Sequence, residues 1–579
     1  MGKEGMCGCD NEEGKSGRTT FMVAESLFVL SGITKAVNLI EMDMKRILLG
    51  MMLGFCVLVS MAQSSDLMRI YTDKDCYLAG EKLWIKVNVD NEALPGNAIS
   101  RVAYVEICDT AQVYVQGKVA LQQGAGWACI HLPQTMHSGV YQLTAYTRYM
   151  RNCQSESFPR KYVAILNTLG SSEKDDRVMN DLDSFAGNAS MSSDMGMKGD
   201  KSRYGHREKV SLSWSSHLAD AKELVLSVVR KDCAVNLPVL DSQLPIQNSG
   251  AHWLPECEGH IVTAKIEGEE MPAEVLTQLS CVGKEIKLFE GQKKEHGIYQ
   301  FFTYGVNDRQ DVVLTALAND GKTYRMEMET PFAEKLPENV PSLICQYEDS
   351  TLIDRSVALQ LSQAMPKMAL QKEVEEMIYG RLPDKIYNLD EYVRFNTVQE
   401  CIVEFVMGIS ITKENGKNTI RMLDGNSKSY NLFPVLVLVD GVAFNDHSEV
   451  LGYNARQLHY IHQYRGDYVL GDSYYGGILS LITHRGMLTD IRMHEHMQMV
   501  SYEFPQDRPD FDMPIYDNDE KLQSRRPDFR HTMYWNPSVE GKTGVEFYTS
   551  DLEGEYEAVL KGIDAEGKKI ELKWEFQVK

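Results

Sequence analysis

The sequence contains no Cys-x-x-Cys pair, no His-Glu-x-x-His, no phosphate-cradling Gly-x-x-x-x-Gly-Lys and no dinucleotide-binding glycine fingerprint. These absences remove the commonest zinc, nucleotide-triphosphate and nicotinamide chemistries from consideration. Basic residues are outnumbered, 60 against 82 acidic, giving a formal net charge of −22. That balance argues against nucleic acid and anionic lipid surfaces as direct partners. What is present is ordinary globular composition, with 43% hydrophobic, 25% charged and 9% aromatic residues, which excludes disorder of the whole chain. At 579 residues, roughly three to four domains of about 100 to 150 residues are expected.

Met44-Lys45-Arg46 supplies a short basic region, and Ile47 to Met61 follows as an uncharged, mainly apolar run. Ser60-Met61-Ala62 then presents small residues at the positions a signal peptidase reads, so residues 44–62 are expected to be a secretory signal peptide cleaved before Gln63. The run is shorter than the roughly 20 residues of a membrane-spanning helix, and polar Gln63-Ser64-Ser65-Asp66 follows at once, so no transmembrane span is expected after cleavage. Phe55 before Cys56 disfavours a lipid anchor there. Residues 1–43 precede a signal peptide that normally starts at its own methionine. They are expected to be untranslated, with Met42 or Met44 the true start, and the Cys7-x-Cys9 pair then carries no function. Nine cysteines follow the cleavage site: Cys76, Cys108, Cys129, Cys153, Cys233, Cys257, Cys281, Cys345 and Cys401. An odd number in an oxidising compartment leaves at least one free thiol, and most are read as buried small hydrophobes.

The fold class expected is mainly β and multidomain, with β-sandwich domains followed by a helical connector, an α+β plug-like domain and a C-terminal β module. From 63 to 167 the chain alternates and turns at short intervals. Leu83, Ile85, Val87 and Val89 share one strand face, while Lys82, Lys86, Asn88 and Asp90 point the other way. Residues 168–203, rich in Ser, Gly, Asp, Asn and Met, read as a linker. β patterning resumes over 204–253, as a segment of a second sandwich, and again over 254–335. The connector 336–394 begins with Val357, Leu359 and Leu361 alternating like a strand. It then carries an apolar stripe, Leu370, Val374, Met377 and Ile378, at helical spacing, and a helix start at Asn388 with Glu391 three residues on. Within 395–487, Asn415-Gly416 marks a hairpin, and two apolar strands at 435–439 and 478–482 are expected. Residues 488–579 end in a last alternating β module.

Tyr71-Thr72-Asp73-Lys74, Tyr77, Gly80-Glu81 and Trp84, with Gly139-Val140-Tyr141 and Ala145-Tyr146-Thr147, resemble the second macroglobulin-type domain of alpha-2-macroglobulins. Leu254-Pro255-Glu256, Gly259-His260 and Gly297-Ile298-Tyr299 resemble a carboxypeptidase-regulatory type of small sandwich. Pro434 to Val442, Tyr464-Arg465-Gly466 and Tyr475-Gly476-Gly477 to Thr483 resemble the plug domain of TonB-dependent receptors. The run from Arg525 through Tyr534-Trp535-Asn536-Pro537 to Asp551 resembles the C-terminal part of Gram-negative envelope proteins that combine the two. A receptor of that type carries about 22 membrane strands after its plug, which 488–579 has no room for. The thioester run Gly-Cys-Gly-Glu-Gln is absent as well, so covalent trapping of proteases is not implied.

Gly471-Asp472-Ser473 resembles the nucleophile block of one class of esterases, and Asp528-x-x-His531 has the spacing of its acid and base. Ser473 falls inside the plug-like match instead of opening a catalytic domain. His494-Glu495-His496 and His459-x-x-His462 each offer two metal ligands with no third placed by spacing. No catalytic, cofactor-binding or metal residue is therefore assigned, no cofactor is expected, and the chain is read as non-enzymatic. The resemblances imply an exported protein of the periplasm or outer membrane that docks on outer-membrane or periplasmic proteins. The alternative is a non-covalent endopeptidase inhibitor of macroglobulin type.

Overall fold

The computed structural model describes residues 66–91, 99–169, 178–180, 196–240, 253–268, 274–283, 286–318, 321–364, 381–414, 416–425, 429–488, 493 and 497–579. The expected signal peptide, residues 1–43, the helical stripe at 370–378 and His494-Glu495-His496 lie outside them. Among the described residues no helix is long and apolar enough to cross a membrane. The protein is mainly β and multidomain, as expected.

The first sandwich follows the alternation closely. Strands Asp66–Thr72, Lys82–Asn91 and Ala125–His131 form one antiparallel sheet. The facing sheet takes Cys76–Leu78, Arg160–Leu166, Gly139–Thr147, Val102–Cys108 and Val113–Ala120. Leu83, Ile85 and Val87 meet Ile107, Leu143 and Val163 in a closed core. The polar face of Lys82–Asn91 departs from expectation, because Trp84, Lys86 and Asn88 are also buried. A second sandwich covers that face: Trp84 packs with Val225 and Trp535, and Lys86 Nζ pairs with Glu540 at 3.0 Å.

Strand pairing divides the rest of the chain differently from the sequence boundaries. Met197–Gly199, Lys209–Trp214 and Gly544–Tyr548 make one sheet of the second sandwich. Arg203–Tyr204, Lys569–Val578, Gly554–Ile563, Glu223–Arg230 and Thr532–Asn536 make the other. The segment 204–253 and the end of 488–579, read as separate blocks, thus share two sheets. A third sandwich sets the sheet of His260–Ile266 and Ile298–Thr303 with that of Leu288–Glu290, Val275–Cys281 and Arg309–Ala318. It too is closed by a late strand, since Gln498–Glu503 pairs with Arg309–Ala318, beyond the boundary at 335. Inside the stretch read as linker, Val178–Asn180 pairs parallel to Leu343–Tyr347. Alternation reports which face is buried but not which strand is the neighbour, and these neighbours are hundreds of residues away.

Asp349–Ala364 is an α-helix, correcting the strand read from Val357, Leu359 and Leu361. Those three alternate by chance, and Val357 and Leu361 are exposed. The inward side carries buried Arg355, Ser356 and Ala358 with partly buried Leu352 and Leu359, of which Leu352, Arg355 and Leu359 fall three to four apart.

Residues 381–488 fold as an α+β module inserted into the third sandwich. Its sheet runs Lys385–Asn388, Leu458–Tyr464, Ile478–Thr483, Leu436–Val439, Val442–Phe444, with Leu436–Val439 parallel to Ile478–Thr483. Both of those strands are buried along their whole length, as continuous apolar runs require. Asn388 caps a single 3₁₀ turn, Leu389–Glu391, shorter than the helix its pattern suggested. The hairpin Ile409–Glu414 and Lys417–Met422 turns where Asn415-Gly416 placed it. A capping box at Thr397 and Glu400 starts the helix Val398–Glu404.

Candidate functional site

A groove of about 1310 Å³ lies between the first sandwich, the helix Asp349–Ala364 and the segment 511–532, which includes the helical turn Asp519–Leu522. Its walls are apolar, with Trp84, Leu361, Phe511 and Ile515 among them, and its floor is charged. Arg355, whose side chain is only 2% exposed, donates from Nε and Nη2 to the two oxygens of Glu81 at 2.7 and 2.8 Å. Nη1 reaches Asp232 at 2.9 Å, and Nη2 also donates to the Cys76 carbonyl at 3.0 Å. Lys74 Nζ adds a second cation to Glu81 at 2.8 Å. His531 Nε2 lies 2.8 Å from the other Asp232 oxygen, and its Nδ1 faces Lys74 Nζ at 3.5 Å.

The electrostatics follow from burial and these partners. Desolvation works against the ionised carboxyls, but Arg355 overrides it and holds Glu81 and Asp232 well below the usual carboxylate range. Burial together with Arg355 lowers His531 to about 4, so the imidazole is neutral, donates from Nε2 to Asp232 and turns its Nδ1 lone pair to the ammonium. Asp73 beside them is raised by burial while accepting from Tyr77, Thr532 and the Trp84 amide. Each cation of the floor is matched by a carboxylate, and the groups come from the first sandwich, the helix and the second sandwich. The arrangement clamps these parts to one another.

A second buried cluster joins the first sandwich to the third. Tyr104 donates to Glu256, which also accepts from the Ile261 amide at 2.8 Å and lies 2.9 Å from His260 Nδ1. His260 Nε2 is 2.6 Å from the Tyr502 hydroxyl. Lys118 sits 3.9 Å above the Tyr502 ring and donates to the Glu503 carbonyl at 2.6 Å. Burial lowers His260 to about 4 and Lys118 to about 7.

The residues singled out in the sequence are not brought together as a catalytic set. The partner of His531 is Asp232, while Asp528 accepts from Arg530 and Tyr516. Ser473 is on the hairpin Tyr468–Leu470 and Ser473–Tyr475, facing Glu290 of the third sandwich. His459 and His462 occupy the strand Leu458–Tyr464, where a bulge between Leu458 and Tyr460 turns His459 toward His484 and Asp390 while His462 is buried. Arg355, Asp232 and His484 carried no local signal, because their significance lies in partners far along the chain.

The α+β module carries more than half of the large hydrophobic side chains left exposed among the described residues, although it is a minority of them. Tyr430, Leu432 and Phe433 on one loop are exposed, as are Val469 and Tyr474, which face each other across the hairpin. Phe433 stacks on Tyr474 with ring centroids 5.6 Å apart. The loop is fixed by Arg421, which donates to the carbonyls of Asn431 and Leu432, and by the Asn431 side-chain Nδ2, which donates to Asp467.

No family model matches the chain, and no curated protein matches it. Among solved structures, the alpha-2-macroglobulin of Salmonella reacted with methylamine aligns over 89% of this chain and 39% of its own, at 9% identity and TM-score 0.21. Trypsin-activated alpha-2-macroglobulin from Escherichia coli aligns over 89% of this chain and 23% of its own, at 9% identity and TM-score 0.15. A beta-glucosidase from Listeria innocua in complex with isofagomine aligns over 18% of this chain and 16% of its own, at 18% identity and TM-score 0.14. The chain thus spans well under two thirds of the length of each.

Proposed function

We propose that this is an exported, non-catalytic cell-envelope protein that docks on an outer-membrane protein through the α+β module, with the three sandwiches as its mount. The observation that carries the reading is the exposed ring pair Phe433–Tyr474, next in the chain to exposed Leu432 and paired across the hairpin with exposed Val469. Water-exposed apolar patches rimmed by polar residues are what protein interfaces use, and aromatic anchors dominate their energetics. Export rests on the signal-like run at 44–62, and the resemblance of 434–483 to receptor plugs favours an outer-membrane partner. The two buried clusters support the mount, since they hold the sandwiches in one arrangement behind the module.

The test is a double substitution, Leu432→Asp with Phe433→Asp, in the full chain. Both side chains are exposed, so export and the thermal transition are expected to be unchanged. Recovery of outer-membrane proteins after cross-linking in intact cells should fall about 30-fold, the loss of one hot spot of roughly 2 kcal/mol. Recovery of the same proteins in the same amounts would overturn docking through this face. Excising the whole module is a poorer test, because Leu436, Leu438 and Ile478 pack on Ile286 and Leu288 of the third sandwich, which excision would expose.

A further inference from the structure

We infer that Asp390, His459 and His484 form a divalent transition-metal site at the edge of the α+β sheet, with zinc the best-fitting ion. One ligand atom from each of the three lies within 4.8 Å of the other two. Two neutral imidazoles and one carboxylate are the donor types borderline ions such as zinc take, and a three-ligand set leaves a fourth position open. The separation of His459 Nε2 from Asp390 Oδ2 is 3.4 Å. A direct charge-assisted hydrogen bond is shorter, about 2.7 to 2.9 Å. Two ligands about 2.1 Å from one tetrahedral zinc stand about 3.4 Å apart, so the spacing of this histidine–carboxylate pair also accommodates an ion shared between them.

The surroundings hold each ligand in place without an ion. Asp390 sits in the 3₁₀ turn Leu389–Glu391, where its amide donates to the capping Asn388 side chain at 3.1 Å. Its other oxygen, Oδ1, is gripped by Arg394, whose Nη1 also donates to the Leu458 carbonyl at 3.0 Å. Arg394 thereby fixes the carboxylate plane and leaves Oδ2 directed at the histidines, the orienting role that neighbours of metal ligands commonly take. The His484 amide donates to the Gln457 carbonyl, tying the end of Ile478–Thr483 to the start of Leu458–Tyr464. The two imidazole rings lie nearly parallel, at 21° with centroids 5.0 Å apart, and each offers a nitrogen within 4.8 Å of the other's and of the Asp390 carboxylate.

All three side chains are exposed or half-buried, so alanine at any of them leaves the core intact. The experiment uses the full chain, stripped with a chelator and titrated with Zn²⁺ against a chromophoric competitor, with Co²⁺ as a spectroscopic probe. Wild type is expected to bind one Zn²⁺ at this site and to give the visible bands of four-coordinate cobalt. His459→Ala and His484→Ala should each weaken binding about 100-fold or more, and Asp390→Asn at least about 10-fold. His462→Ala, three residues away on the same strand, should leave the affinity unchanged. Zinc bound equally well by wild type and a His459→Ala, His484→Ala double variant would overturn the site, as would failure of wild type to bind at all.

Discussion

His531 and His260 are neutral because burial lowers both to about 4, against an ordinary value of 6.5. The unfolded chain takes up protons between pH 6.5 and 4 that the folded chain refuses, so the stabilisation is fully present above pH 6.5 and is lost as pH falls through 4. Each depression is on the order of 3 kcal/mol, a large share of a typical stability of about 5 to 15 kcal/mol. Glu81 and Asp232, held below the usual carboxylate range, add a further loss under about pH 4, which the raised Asp73 partly offsets. The urea midpoint is therefore expected to drop between pH 7 and 4.5, and His531→Gln should flatten that slope while lowering the midpoint at pH 7. An unchanged slope in the variant would remove His531 from the account. Little of this was legible. Glu256 and His260 belong to a motif that the sequence shows, but Tyr104, which anchors Glu256, stands 152 positions earlier, and no local pattern announces such a pairing.

The elements that could be read from sequence are those whose cause is local. Val435 to Val439 is apolar throughout and Ile478 to Ile482 apart from Ser480, and both became strands buried on both faces. Asp440 accepts from the Thr483 amide, the Thr483 hydroxyl and the Leu488 amide, so the Asp440-Gly441 turn also pins the ends of the parallel pair. Gly477 enters the second strand at φ +131, where a Cβ would lie 2.8 Å from Met422 Sδ and 3.2 Å from the Tyr464 carbonyl. Gly477→Ala is expected to destabilise by about 2 to 4 kcal/mol, combining backbone strain with the clash. Gly425→Ala, with open space around it, should shift stability by no more than about 0.5 kcal/mol. Thermal unfolding of the two variants checks this; equal transitions would mean that the turn relaxes freely. The helix Asp349–Ala364 escaped detection because its buried face is organised around an arginine, and a stripe that includes Arg355 does not read as apolar.

Nesting governs the whole molecule. Glu223–Arg230 lies between Gly554–Ile563 and Thr532–Asn536, so the second sandwich closes only when the end of the chain returns to its beginning. The third sandwich is enclosed within that span, and the α+β module within the third. Sequence spacing suggests domains strung in order, since each segment alternates well by itself; the return strands carry no mark of their partner. The connection has a mechanical consequence. A protease site introduced into residues 365–380 and cut in the folded protein would give two fragments that share both sheets of the second sandwich and the Arg355, Asp232 and His531 cluster. They would also share the strand pair Arg309–Ala318 and Gln498–Glu503. With three such interfaces, the nicked protein is expected to elute as one species of unchanged size, and to separate only when denaturant unfolds the sandwiches. Domains in series would part at once, so elution of two separate fragments under native conditions would refute the nested arrangement.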